Sequence, residues 1–335
     1  MVLSLGKDSH MLLTDYLQSS YDRTWDIALQ CGIRHAVIRL PEDAAFDVTD
    51  RGHWNTVCQR FTDYGLTPVV VEPMPNALHE HIKTGDGKRD ASIEKVIKMF
   101  PILRDLGIKT ICFNWMAHTG WLRTKTDYPD RGGATVTAFD LSDIPPLNAR
   151  ISEQQLWDNY SYFIKAVIPK AEKYGICLAL HPDDPPVPRI GNVSRIMCSA
   201  ANIRKAIFEI CPSSSLGITL CQANFYLMGE NLRDIADTFD RNIFFIHFRN
   251  VSGTAEHFHE TFHDNGDIPM ADILKYYIEK KVDVPIRVDH VPTLREESAS
   301  LAGYGTLGRL YAIGYLKGIL ETCNLKSSGG NTSCK

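Results

Sequence analysis

Residues 176–183 read Ile-Cys-Leu-Ala-Leu-His-Pro-Asp, a short aliphatic run that stops at a histidine. Three later runs repeat the pattern: 216–222 (LGITLCQ) ends at Cys221, 242–249 (NIFFIHFR) carries His247, and 284–290 (VPIRVDH) carries Asp289. Toward the N-terminus similar runs lie at 109–115 (KTICFNW), 67–73 (TPVVVEP) and 33–40 (IRHAVIRL), with a weaker one at 10–17. Between them lie helical periodicities, Ala91–Leu106, Glu153–Tyr174, Ala200–Cys211, Glu230–Phe239 and Met270–Glu279, several stopped by a glycine such as Gly107 or Gly175. A last long helix is expected over about 306–323. Strand and helix in alternation specify parallel strands with crossover helices. Eight such units close an α/β barrel of the (β/α)8 type, whereas five or six would leave an open doubly wound sheet. The count reaches eight only when the weak first run is a strand.

In a parallel barrel the active site gathers at the C-terminal strand ends. His181, Cys221, His247 and Asp289 each stand at such an end, about one strand–helix unit apart. Alternate residues of a barrel strand face its interior. Counting back from Cys221 puts Thr219 and Gly217 inward and Leu220, Ile218 and Leu216 toward the helices. The same count puts Arg287 inward below Asp289, and Ala179 and Cys177 inward below His181. The strand of His247 is apolar on both faces and discriminates nothing. Two imidazoles, a thiolate and a carboxylate suit a divalent first-row metal, whose charge the two anions neutralise. Singly, each reads as well as a satisfied buried polar group or, for Cys221, a small hydrophobe. Arg287 is placed either to orient Asp289 or to form a plain structural ion pair with it.

The chain of 335 residues is 44% hydrophobic and 23% charged, with a net charge of −4, so no basic field invites nucleic acid or an anionic membrane. No apolar run approaches ~18 residues, and the N-terminus lacks a basic-then-apolar leader. Nine scattered cysteines without C-x-x-C spacing fit a reducing, cytoplasmic setting. One catalytic domain is expected over 1–325, followed by a disordered Ser/Gly/Asn-rich tail over 326–335. No dinucleotide fingerprint or phosphate-binding Walker loop follows any strand. The long polar segment Gly120–Asn148 reads as a lid or binding loop. His259–His263 (HETFH) matches H-E-x-x-H, but the third ligand of the longer metalloprotease pattern falls on Pro269. Asp264-Asn265-Gly266-Asp267 is turn chemistry, so a rim loop is expected there rather than a protease helix.

Leu178–Pro186 (LALHPDDPP), Ile246–Asn250 (IHFRN), Phe258–Asp267 (FHETFHDNGD) and Arg287–His290 (RVDH) resemble mannonate dehydratases. So do Cys112–Thr124 (CFNWMAHTGWLRT), the HEHIK segment His79–Lys83, and Gly303-Tyr304 ahead of Gly308-Arg309-Leu310, in order from about residue 25 to 322. The resemblance implies a xylose-isomerase-like TIM barrel, bound Mn²⁺ with Fe²⁺ as the alternative, and a hydro-lyase of hexuronate catabolism. Its reaction would take D-mannonate to 2-keto-3-deoxy-D-gluconate plus water, or act on a closely related aldonic acid. The family's metal ligands match His181, Cys221, His247 and Asp289, and its catalytic pair matches His290 and Tyr304, with acid and base unassigned between them. Substrate contacts are expected from Asn114, Trp121, Arg123, Arg249, Asn250, His259 and His79, either arginine being equally readable as a salt bridge. The expected partner is a small sugar acid, and a homodimer is compatible with the sequence. The chain departs from the family pattern at Gly120, at Lys125 (a reversed charge near the substrate), at Thr137 and at Val291-Pro292, and its first strand lacks a Trp-Tyr-Gly signature. Two other readings use the same barrel: a metal-dependent sugar isomerase or epimerase, and a sugar-binding paralogue without turnover.

Overall fold

A computed structural model describes residues 11–43, 45–297 and 301–328. Eight parallel strands close a barrel: β1 (Leu12–Gln18), β2 (His35–Arg39), β3 (Thr67–Val71), β4 (Thr110–Phe113), β5 (Cys177–Leu180), β6 (Leu216–Cys221), β7 (Ile243–Phe248) and β8 (Pro285–Val288). Each pairs with its sequence neighbours, and the weak first run is the closing strand. Thr14 of β1 stands opposite His35 of β2, and Leu12 opposite Pro285 of β8. Crossover helices cover the outside, so each strand buries one face on helices and the other inside the barrel.

Inside, Tyr16, Val37, Val70, Cys112, Ala179 and Phe245 form a plug of side chains, and Thr219 donates to Cys112 Sγ (3.2 Å) and to the Ala179 carbonyl (3.4 Å). The larger core lies between strands and helices, where Trp25 stacks on Phe61 and Trp115 on Phe163. Local signals agree with the elements they bound. The helix Glu153–Tyr174 opens on a capping box between Ser152 and Gln155 and ends at Gly175 in the left-handed conformation (φ 65°). At Gly217 the packing admits no side chain, because a Cβ would lie 2.1 Å from the Asn242 carbonyl oxygen.

Three expectations are revised. The segment 120–148 is not an irregular lid. Its strands Lys125–Pro129 and Thr135–Asp140 join Val251–Thr254 and His257–Glu260 in a four-stranded antiparallel sheet. Pairing satisfies backbone groups that a loop of that length would leave to water. His259 and Glu260 of HETFH therefore lie in a strand rather than a loop, while Thr261–His263 lie outside any helix, in keeping with the rejected protease reading. The last helix, Thr306–Ser328, takes in residues 326–328 of the expected tail; residues 329–335 lie outside the described part of the chain. Among the described residues no helix is long and apolar enough to cross a membrane.

Candidate active site

The plug explains where the site forms. Two residues beyond each plug position, on the same strand face, the chain reaches the C-terminal mouth. Val37 leads to Arg39, Val70 to Glu72, Cys112 to Asn114, Ala179 to His181 and Phe245 to His247. Thr219 and Arg287 lead in the same way to Cys221 and Asp289. These ends rim a cavity of about 350 Å³, walled also by Tyr16, Trp121, His290 and Tyr304, with Cys221 buried beneath it.

Ligand atoms of His181, Cys221 and His247 all lie within 4.8 Å of one another. His181 Nδ1 is 2.7 Å from the Pro182 carbonyl, which can only accept, so the lone pair of Nε2 is turned into the cluster. That Nε2 is 3.2 Å from His247 Nδ1, which is 3.4 Å from Asp289 Oδ2. Two facing imidazole nitrogens beside a thiol and a carboxylate are a donor set that fits a divalent ion. Without one, burial would depress His247, but the Glu72 and Asp289 carboxylates outweigh burial and the Arg287 charge and lift it to about 9.

Glu72, which sequence reading passed over, holds this cluster from behind. Its Oε1 is 3.0 Å from His247 Nε2, and it takes a fork from Arg287, with Nε 2.9 Å from Oε2 and Nη2 3.0 Å from Oε1. Arg287 Nη1 also donates to Asp289 Oδ1 at 2.7 Å, a contact that fits either reading of that arginine, as an orienting partner or as a structural ion pair. Burial opposes the ionised form of both carboxylates, yet Arg287 and the nearby histidines hold both well below the usual carboxylate range.

The Tyr304 hydroxyl donates to Asp289 Oδ1 at 3.2 Å, and its ring meets His290 edge to face. His290 lies just past β8 with φ 35°, a left-handed backbone that a residue with a Cβ seldom adopts. Its Nδ1 is 3.1 Å from Glu260 Oε1, and Trp121 packs against the ring at 5.2 Å between centroids. Burial outweighs the neighbouring carboxylates and keeps His290 below its ordinary value. Burial, then Asp289, push Tyr304 well above its own, so its proton stays on.

Several expected substrate contacts lie elsewhere. Arg249 is fully buried, with Nε and Nη2 on Glu260 (2.8 and 2.5 Å) and Nη1 on Asp184 (2.6 Å). Arg123 joins the same two carboxylates at 2.6 Å each, so that two arginines and two carboxylates form a buried ionic quartet whose Asp184 reaches the cavity lining. A buried guanidinium must be matched by buried charge, and these carboxylates match it. Asn250 holds the loop backbone through Val251, His263 and Ile268. His259 stacks on Tyr128 because strand alternation turns Phe258 and Glu260 inward instead. His79 sits outside the cavity among Phe113, Trp115 and Phe163, with neither ring nitrogen bonded. Lys125 is exposed beside Asp143 and reverses no charge in the cavity. Asn114 and Trp121 do line it.

The family model for D-mannonate dehydratase (UxuA) matches residues 25–150 and 145–328. A mannonate dehydratase of Streptococcus equi subsp. zooepidemicus is 31% identical over 300 residues, covering 79% of this chain and 80% of its own. One from Streptococcus agalactiae serotype Ia is 32% identical over 292 residues, with 77% and 82% covered. The crystal structure of mannonate dehydratase from Streptococcus suis serotype 2 superposes with a TM-score of 0.85 at 28% identity over 97% of this chain and 96% of that one. An L-ribulose 3-epimerase structure at 14% identity and TM-score 0.60, covering 96% and 99%, shares the fold alone.

Proposed function

The chain belongs to the D-mannonate dehydratase family, and on that premise we propose that it is a metal-dependent hydro-lyase that removes water from a sugar acid, D-mannonate to give 2-keto-3-deoxy-D-gluconate or a closely related acid. The observation that carries this reading is the convergence of His181, Cys221 and His247 at one end of a cavity whose wall holds His290 and Tyr304.

Dehydration next to a carboxylate requires loss of a weakly acidic C2 proton and departure of the C3 hydroxyl. His181, Cys221, His247 and Asp289 would hold the metal, Mn²⁺ with Fe²⁺ as the alternative, which when bound supplies positive charge for the substrate carboxylate and the enediolate. His290, which lines the cavity, serves as the base: Nδ1–H donates to Glu260, which fixes the tautomer and leaves the lone pair on Nε2, 3.7 Å from Asp289 Oδ1. Tyr304, which keeps its proton, serves as the acid that assists the leaving hydroxyl. Trp121 shields the His290 ring on one side and limits water at the reacting carbons. The scattered cysteines fit a cytoplasmic setting for this chemistry.

The pair is tested with Tyr304→Phe. We expect full metal content and turnover reduced by about 10²–10⁴-fold, the range for losing a positioned proton donor. Unchanged turnover would remove Tyr304 from the mechanism.

A further inference from the structure

Arg123 and Arg249 are committed to Asp184 and Glu260, and Arg287 to Glu72 and Asp289, all of them carboxylates shielded from water. Arg39 differs. It lines the cavity, yet the carboxylate it meets is Glu42, 2.7 Å away and 61% exposed. A partner so wet contributes little and gives way readily to a better one.

Its place in the ring gives this cation a direction. From β2, four strands in either direction lead to β6, whose end carries Cys221, flanked by His181 on β5 and His247 on β7. Arg39 thus stands across the mouth from the middle of the ligand set, with Tyr16 and Asn76 on the same wall. A sugar acid held by its carboxylate at that set extends its carbon chain across the cavity toward β2. A guanidinium fork there matches a second oxyanion far better than a neutral hydroxymethyl end.

We propose that Arg39 is the specificity-determining residue of the site and selects substrates whose far end carries an oxyanion, a carboxylate as in an aldaric acid or a phosphate ester. The inference rests on the sugar-acid reading above but not on turnover. It is tested by calorimetric binding of D-mannonate, D-mannarate and D-mannonate 6-phosphate to the Mn²⁺-loaded protein, for wild type, Arg39→Leu, Arg39→Lys and Glu42→Gln. Wild type should bind D-mannarate or D-mannonate 6-phosphate, each carrying an added terminal oxyanion, about 10–100-fold more tightly than D-mannonate, the range for one charge-assisted bond pair. The tighter of the two names the terminus. Arg39→Leu should collapse that ratio toward one, Arg39→Lys should retain part of it, and Glu42→Gln, which alters only an exposed side chain, should raise it. Equal binding of all three acids by wild type, binding of none, or a ratio unmoved by Arg39→Leu overturns the proposal. Product analysis in parallel separates the two claims. A preference for a terminal oxyanion lost in Arg39→Leu without water loss from any acid would sink the dehydratase reading alone, and water loss from D-mannonate without that preference would sink this one alone.

Discussion

Cys221 and Arg249 lie side by side, Sγ 3.6 Å from Nη1, and substitution should separate their roles. Cys221→Ala should lose most bound metal while the fold persists, as elemental analysis would show; full occupancy would end its assignment as a ligand. Arg249→Met should instead cost about 3–5 kcal/mol in denaturant unfolding, since Asp184 and Glu260 would lose a buried counter-charge. An unfolding midpoint equal to wild type would return Arg249 to the substrate. At this scale alternation is the informative signal. Counting in twos selects His181, Cys221 and Asp289, and the same count on β2, β3 and β4 reaches Arg39, Glu72 and Asn114, of which the sequence reading names only Asn114. What alternation could not supply was pairing. A strand-end arginine reads alike whether it faces substrate or a carboxylate brought by a distant loop, and Asp184 and Glu260 reach Arg123 and Arg249 only through the fold.

The elements themselves were largely written in the chain, because aliphatic runs bounded by Gly and Pro leave little freedom between strand and helix. The hairpin within 120–148 was not, since its partners are two short strands, Val251–Thr254 and His257–Glu260, from a loop more than a hundred residues away. Packing of one element on another makes two predictions. Gly217→Ala should destabilise β6 by about 1–3 kcal/mol, because the added carbon meets the Asn242 carbonyl and the Phe244 ring; a neutral outcome would mean that the β6–β7 contact yields. The second concerns His79 and His263, both buried and held neutral, the first well below its ordinary value and the second down to about 4, in each case chiefly by burial. An unfolded histidine titrates near ~6.5. Between that pH and about 4 the unfolded chain takes up protons that the folded chain refuses, so stability should fall as pH drops through this window, by about 1.4 kcal/mol per pH unit for each histidine. Denaturant midpoints across the window should show it, and His263→Gln should flatten the slope. A slope unchanged in that variant would mean His263 is charged in place.

Across the whole molecule, closure is what turns separate strand ends into a site. β1 pairs with both β2 and β8, so the four ligand-bearing strands β5 to β8 occupy one half of the ring and β1 to β4 the other. One half carries the candidate donors His181, Cys221, His247 and Asp289, and from the other half Tyr16, Arg39, Glu72 and Asn114 line the same cavity. The central claim is that this arrangement removes water from a sugar acid, and mass-resolved product analysis tests it most directly. Purified protein loaded with Mn²⁺ and given D-mannonate should yield a 2-keto-3-deoxy acid one water lighter than the substrate, and none after chelation of the metal. A product of unchanged mass would contradict the account and return the chain to the isomerases that share its barrel.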